Sequence, residues 1–423
     1  MFPRMAHDQR LSGDDIARLH MDRRDNPMVI TAVVWLAGPL PFPALVARVQ
    51  ERILTRPRFT ERVVEPAFAT PRWEPDRDFD LREHLHHLAL PTPGDAEALE
   101  ALVEDLAGAP LDPRVPLWQL HLVDGVGDGC ALVFRAHHVL VDGLALVDVL
   151  LGLTDEGPLG WTPAAVSLPP GGDLLRAVAP LAGLAGLALS RPEPPTSLTL
   201  PHHAHKRLAW SRPLDLAALK RAARRRSTGV TALLLATVAG GLREVLAARG
   251  ELRPALVVRA MVPLSLRAAS EGGALGNRYA SVFVGLPVGL ASRDARIDDV
   301  RRRLAGAVVT GGVSAGRALV RVAGRLGASF ERVGVDLLSR RASLVVSNVP
   351  GPGEARHIAG QRLDAVVAFA PVAGAIGLGV TCVGYGGVVS VGVASGMDPA
   401  TLPRELVEGV TREFEALTAG EDD

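Results

Sequence analysis

Lysine is almost missing from this chain: Lys206 and Lys220 are the only two in 423 residues, so arginine carries nearly all of the basic charge. The 46 basic side chains are balanced by 46 acidic ones, giving a net charge of zero. No segment forms a basic stripe interleaved with aromatics, which excludes a dedicated nucleic-acid binder. Cysteine is scarce too. Cys130 and Cys382 lie too far apart for a metal-ligand spacing, and two residues cannot build a disulfide framework. The N-terminal MFPRMAHDQRLSGDD lacks the apolar centre of a signal peptide. The most apolar run, Ala177 to Leu189, contains Pro180 and falls short of the roughly 20 residues that cross a bilayer. No G-x-x-x-x-G-K-[ST] loop is present to cradle a nucleotide phosphate. Together these absences predict a soluble or peripherally attached, intracellular protein.

Hydrophobic residues make up 48% of the chain, and its length exceeds one ordinary core, so two subdomains are expected. Apolar stretches predict strands at Val29 to Leu36, Trp118 to Val123 and Ala131 to Ala136. A second set is expected at Leu256 to Pro263, Ala280 to Val284, Leu344 to Ser347, Gly377 to Val383 and Val388 to Val393. Leu99 to Leu106 and Ala217 to Arg226 have helical spacing. Strands and helices alternate irregularly, which indicates mixed α/β layers and not a regular doubly wound sheet. Between Gly157 and His205 the composition shifts to Pro, Gly, Ala and Ser. The predicted organisation is therefore an N-terminal subdomain over 1–160, a linker over 161–205 and a C-terminal subdomain over 206–423. The linker contains an apolar stretch, DLLRAVAPLAGLAGLALS, suited to a short helix.

The residues with most chemistry in them are HHVLVDG, His137 to Gly143, directly after the strand ALVFRA. Adjacent histidines at a strand end point to opposite sides, so one can face a cavity while the other packs in its wall. An imidazole is largely neutral at cellular pH and can take a proton from a hydroxyl. Asp142, four residues after His138, could orient a ring or hold the loop. Gly143 permits a sharp backbone turn. A pair of structural histidines is the plainer explanation for an arbitrary HH.

HHVLVDG resembles the HHxxxDG motif of the CoA-dependent acyltransferase superfamily, which includes chloramphenicol acetyltransferase-like enzymes and peptide-synthetase condensation domains. Other segments are similar to bacterial wax ester synthase/diacylglycerol acyltransferases. They are LSGDD, NPM (Asn26 to Met28), PRWEPDRDFDLREHLHHLALPTPGD, PLDPRVPLWQLHLVDGV, RAMVPLSLR, GALGNR and SNVPGP, in order from about residue 11 to 395. The resemblance implies two chloramphenicol acetyltransferase-like subdomains of mixed sheets and helices, with a substrate tunnel between them. It implies that His138 deprotonates an alcohol, whose alkoxide attacks the thioester of a long-chain acyl-CoA. Diacylglycerol or a fatty alcohol would be the acceptor, giving triacylglycerol or wax ester. His138, His137, Asp142 and Gly143 would form the catalytic set, with Asp142 the structural member that holds the loop and Gly143 the hinge. Acyl-CoA would be a co-substrate, with no cofactor or metal held permanently, and a membrane or lipid-droplet surface a peripheral contact for a cytoplasmic protein.

The family's Asn-Asp pair falls on Thr231 and Ala232, where Thr231 keeps a hydroxyl donor but Ala232 cannot replace a carboxylate. Thr231, Asn277 in GALGNR and Asn348 in SNVPGP are the candidate substrate contacts. Arg221, Arg224, Arg225 and Arg226 form a group that could meet the CoA phosphates. Three rival readings exist: a condensation-type transferase fed by a carrier-bound donor, a lipid binder without turnover, and a serine esterase. The esterase rests on GVSAG, Gly312 to Gly316, with Ser314 followed by Asp336 and His357 in hydrolase order. The histidine groups HLHH (84–87) and HHAH (202–205) have no completing carboxylate or cysteine and are expected in solvated loops.

Overall fold

The computed structural model describes residues 10–23, 26–66, 69–158, 193–199, 202–265, 279–309, 339–372, 376–397 and 400–419. In the first part of the chain the described elements are α1 (Gly13–Met21), β1 (Val29–Leu36), α2 (Phe42–Arg48), β2 (Glu61–Val64), β3 (Arg72–Pro75), β4 (Leu85–Ala89), α3 (Ala96–Gly108), β5 (Trp118–Val126), β6 (Gly129–His137) and α4 (Gly143–Gly152). They continue as β7 (His202–Trp210), β8 (Leu214–Asp215), α5 (Leu216–Arg225), α6 (Val230–Ala248), β9 (Val258–Ser265), β10 (Tyr279–Leu286), α7 (Arg293–Val309) and β11 (Leu344–Val349). Last come β12 (His357–Ile358), β13 (Gln361–Phe369), β14 (Leu378–Tyr385), β15 (Val388–Met397) and α8 (Leu402–Thr418).

Apart from β2 and β3, which pair separately, the strands form two large mixed sheets. One has the order β12-β13-β1-β6-β5-β4, and the other β10-β9-β11-β14-β15-β7, with β8 also on β15. In the first, only β4 and β5 run parallel; in the second, β11 runs parallel to both β9 and β14. Strand β1 is VITAVVWL, apolar at nearly every position because both of its faces are covered. Its even-numbered side chains join the core with α2 and α4, while Val33 faces α3, β7 and β13. The second core gathers around α5, α6 and α8. Asx caps start the helices in register: Asp95 accepts from Ala98 N, and Asp215 from Ala217 N and Ala218 N.

The strand expected at Val29 to Leu36 is β1 residue for residue, and β5 and β6 overlap their expected positions with a few more residues. The division of the chain is less clean than its composition implied. Strand β13 follows the Pro/Gly-rich segment by more than 150 residues in sequence, yet pairs along β1 in the first sheet from Thr31↔Phe369 to Leu36↔Leu363. Glycines let it lie across the second sheet. A Cβ on Gly392 of β15 would sit 2.7 Å from the carbonyl oxygen of Ala368. At the linker's distal end, HHAH is not loop: β7 begins at His202 and pairs with β15, while Leu198 just before it is 1% exposed. The apolar stretch 177–189 lies outside the described residues.

HLHH also corrects expectation. It leads into β4: His84, just before the strand, is 1% exposed, donates from Nδ1 to the Trp118 carbonyl at 2.9 Å, and stacks 4.7 Å from the Trp118 ring. His86 stacks on His121 at 4.7 Å. Among the described residues one helix, α6, is long and apolar enough to cross a membrane. Here it is a core helix: Gly241 meets Val410 and Gly409 of α8 so closely that a Cβ would approach the Val410 nitrogen to 2.7 Å.

Candidate active site

The loop joining β6 to α4 carries both histidines. His138 N donates to the carbonyl of Met28 at 2.7 Å, so the backbone of the NPM segment fixes the loop from the β1 side. His137 is 3% exposed, and its Nδ1 accepts from Val139 N at 3.0 Å. That assignment puts the His137 proton on Nε2, which faces Asp22 Oδ1 at 3.6 Å. Asp22 caps the end of α1 and accepts from Met28 N at 2.7 Å. His137, Asp22 and Met28 thus form the wall behind His138.

His138 is 9% exposed, and its pKa is lowered from 6.5 to about 4. Burial is the main cause, and the positive charge of Arg18 on α1 adds to it, with His137 contributing a little. A hydrogen bond to its own backbone and the Asp142 carboxylate push the other way. The ring is therefore neutral across the physiological range, the state in which imidazole accepts a proton. Asp142 is 4% exposed and caps α4, accepting from Ala145 N at 2.9 Å. The loop's shape is tied to that helix start.

Gly143 does not serve as the expected turn. It is the first residue of α4, outside the left-handed φ region, and a Cβ there would press on Val349 Cγ2 at 3.3 Å. Its small size admits the end of β11 instead. Immediately before Val349 stands Asn348, whose Nδ2 donates to Thr231 Oγ1 at 3.0 Å at the start of α6. Two of the three candidate substrate contacts are thus joined, close to the loop that carries the histidines. Asn277 lies outside the described residues, as do Ser314 and Asp336. His357, the third member of the esterase reading, is spent on Glu156, its Nδ1 being 2.8 Å from Oε1. Among the described residues no group of three or more His, Cys, Asp and Glu is arranged to hold a metal.

Sequence reasoning missed Asp22 and Arg18. Neither belongs to a motif of chemical residues; the signal was their closeness to NPM in sequence, which becomes closeness to His138 once β1 pairs with β6.

Two sheets bridged by a crossover strand, with a buried neutral histidine on the loop between them, define the two-lobed acyltransferase class. Residues 11–268 match the wax ester synthase/diacylglycerol acyltransferase catalytic domain and residues 275–418 the C-terminal domain of the same enzymes, so the chain belongs to this family. The chain is 28% identical to a Mycobacterium tuberculosis protein named "probable diacylglycerol O-acyltransferase", over 93% of this chain and 91% of that one. Its fold superposes on the wax ester synthase/diacylglycerol acyltransferase of Marinobacter aquaeolei with a TM-score of 0.71 at 20% identity, covering 97% and 99% of the two chains. The first condensation domain of the calcium-dependent antibiotic synthetase gives 0.66 at 17% identity, covering 98% and 96%.

Proposed function

We propose that the chain moves a long-chain acyl group from acyl-CoA to the hydroxyl of diacylglycerol or a fatty alcohol, with His138 as general base. The observation that supports this most directly is the buried, neutral imidazole of His138. The imidazole takes the hydroxyl proton as the oxygen attacks the thioester carbonyl. The tetrahedral intermediate then collapses, the C–S bond breaks, and the imidazolium returns its proton to the departing thiolate. His137, pinned between Val139 N and Asp22, orients the loop and Asp142 anchors it to α4. The Thr231–Asn348 pair is assigned to the substrate wall, and Asn277 is kept as a further candidate substrate contact. Acyl-CoA enters as co-substrate, and no resident cofactor is invoked. Arg221 and Arg226 reach Asp215 and Asp294 at 3.9 and 3.5 Å, so the arginine group has acidic neighbours that CoA phosphates would displace. A cytoplasmic enzyme meeting lipid at a membrane or droplet surface fits these substrates.

Free-thiol release from palmitoyl-CoA, measured with diacylglycerol, hexadecanol and no acceptor, tests the assignment. Acceptor-dependent release is expected; thiol release with no acceptor dependence would point to hydrolysis, and none at all to a carrier-bound donor or a binding role.

The pH profile offers a second check. Because protonation removes the base, kcat/KM should stay level from neutral pH down to about pH 5 and fall as pH drops through about 4. An inflection near 6.5 would mean that His138 is solvated or is not the base.

A further inference from the structure

Helix α4 starts at the loop that carries the histidines and runs for ten residues, which span about 15 Å. A single stretch from the second half of the chain meets both of its ends. At the near end, Val349 of β11 packs so close to Gly143 that a Cβ there would touch its Cγ2 at 3.3 Å. At the far end, the two-residue turn between β12 and β13 directs both of its amides at one carboxylate. Ala359 N donates to Asp155 Oδ1 at 3.0 Å and Gly360 N to Oδ2 at 2.8 Å. Asp155 N returns a bond to the His357 carbonyl at 2.7 Å. Glu156 accepts from His357 N at 3.1 Å, and Arg356 Nη1 donates to the Gly157 carbonyl at 3.0 Å.

The turn does not hold this shape by local preference. Ala359 and Gly360 have φ of 47° and 78°, and alanine rarely adopts the left-handed region that such a turn demands. Its two amides are instead held from outside, by Asp155, and Ile358 beside them is buried in the first core. Arg48 of α2 pairs with the same carboxylate, and Arg56 pairs with Asp148 in α4 at 2.9 Å. Resting on the acyl-transfer reading above, we propose that Asp155 is a positioning residue for the reaction. By clasping the crossover turn to the far end of α4, it keeps the segment that carries Asn348 in register with the loop that carries His138. Transfer needs the acceptor hydroxyl, the base and the thioester carbonyl aligned, and a displacement of about 1 Å can cost on the order of 100-fold. With the clasp released, the base remains, but a large acceptor is oriented less well. Water needs no such orientation. Its oxygen bonds to the acyl carbon, the C–S bond breaks, and its proton passes through His138 to the thiolate, leaving fatty acid and CoA. Asp155 thus favours transfer over hydrolysis.

The test measures ester and free palmitate together, from acyl-labelled palmitoyl-CoA with dioleoylglycerol or hexadecanol, for wild type, Asp155→Ala, Asp155→Asn and Asp364→Asn. The ratio of the two products does not depend on how much of a preparation is folded, and thermal melting checks each variant. Asp155→Ala should lower the ester-to-palmitate ratio by about fivefold or more, with KM for palmitoyl-CoA within about twofold of wild type. Asp155→Asn, which keeps one acceptor oxygen, should recover part of the ratio. Asp364, on β13 but paired with Arg362 in place of α4, is the control, and Asp364→Asn should match wild type. An unchanged ratio in Asp155→Ala, or an equal fall in Asp364→Asn, would overturn the assignment. A wild type that forms ester with neither acceptor would refute the acyl-transfer reading itself, a result separate from these.

Discussion

His138→Ala is expected to lower acceptor-dependent CoA release by about 10³-fold, within the range that a positioned general base contributes. The loss should fall on kcat with either acceptor, because proton removal from the hydroxyl is common to both. The variant should fold. The link that holds the loop at this position is the backbone bond from His138 N to Met28 O, which alanine retains. His137 keeps its own contacts to Val139 N and Asp22. Ser314→Ala, in contrast, should leave release unchanged. A His138→Ala protein with near wild-type turnover would dismiss the base assignment, and loss in the Ser314 variant would revive the hydrolase order of Ser314, Asp336 and His357.

Removing the Glu413 carboxylate should have the largest effect on stability. Glu413 of α8 and Arg296 of α7 are both 3% exposed and form a direct ion pair, and Arg296 also donates to the carbonyls of Leu290 and Ala291. Glu413→Ala would strand a guanidinium charge in the core, which costs about 3–5 kcal/mol. Arg293, half exposed, also reaches Glu413 at 3.1 Å but adds little because water screens it. Room for the carboxylate comes from Gly240 of α6, where a Cβ would lie 2.4 Å from Glu413 Cγ. Urea denaturation reads the effect as a shift in midpoint. An unchanged midpoint would show that the pair is hydrated in solution, and Glu413→Gln should fall between the two.

The candidate site was largely legible because HHVLVDG and its neighbours are local. Seven consecutive residues place two histidines, a helix cap and a small residue together, and an apolar run reveals the strand β6 that leads into them. Other features depend on long-range pairing and left no local mark. Strand β13, QRLDAVVAF, begins with polar and charged residues and carries no turn signal that assigns it to the first sheet. Lys206 directly follows the segment read as linker, and only the pairing of β7 with β15 brings it to Asn26, 180 positions earlier. Gly143 misled for a different reason. Glycine is used both for unusual backbone angles and for close approach, and only the position of Val349 decides between them.

The crossing of β13 also governs the order in which the molecule can be made. As the chain leaves the ribosome, β1 emerges early, pairs with β6 on one side and keeps its other edge open. That edge stays a row of unpaired amides and carbonyls until residues 361–369 arrive, more than 300 positions later. A fragment ending at the Pro/Gly-rich segment would expose the same edge permanently, inviting pairing with another copy. Synthesis of the first lobe is thus finished by the second, which ties the enzyme's solubility during translation to the completion of nearly its whole length.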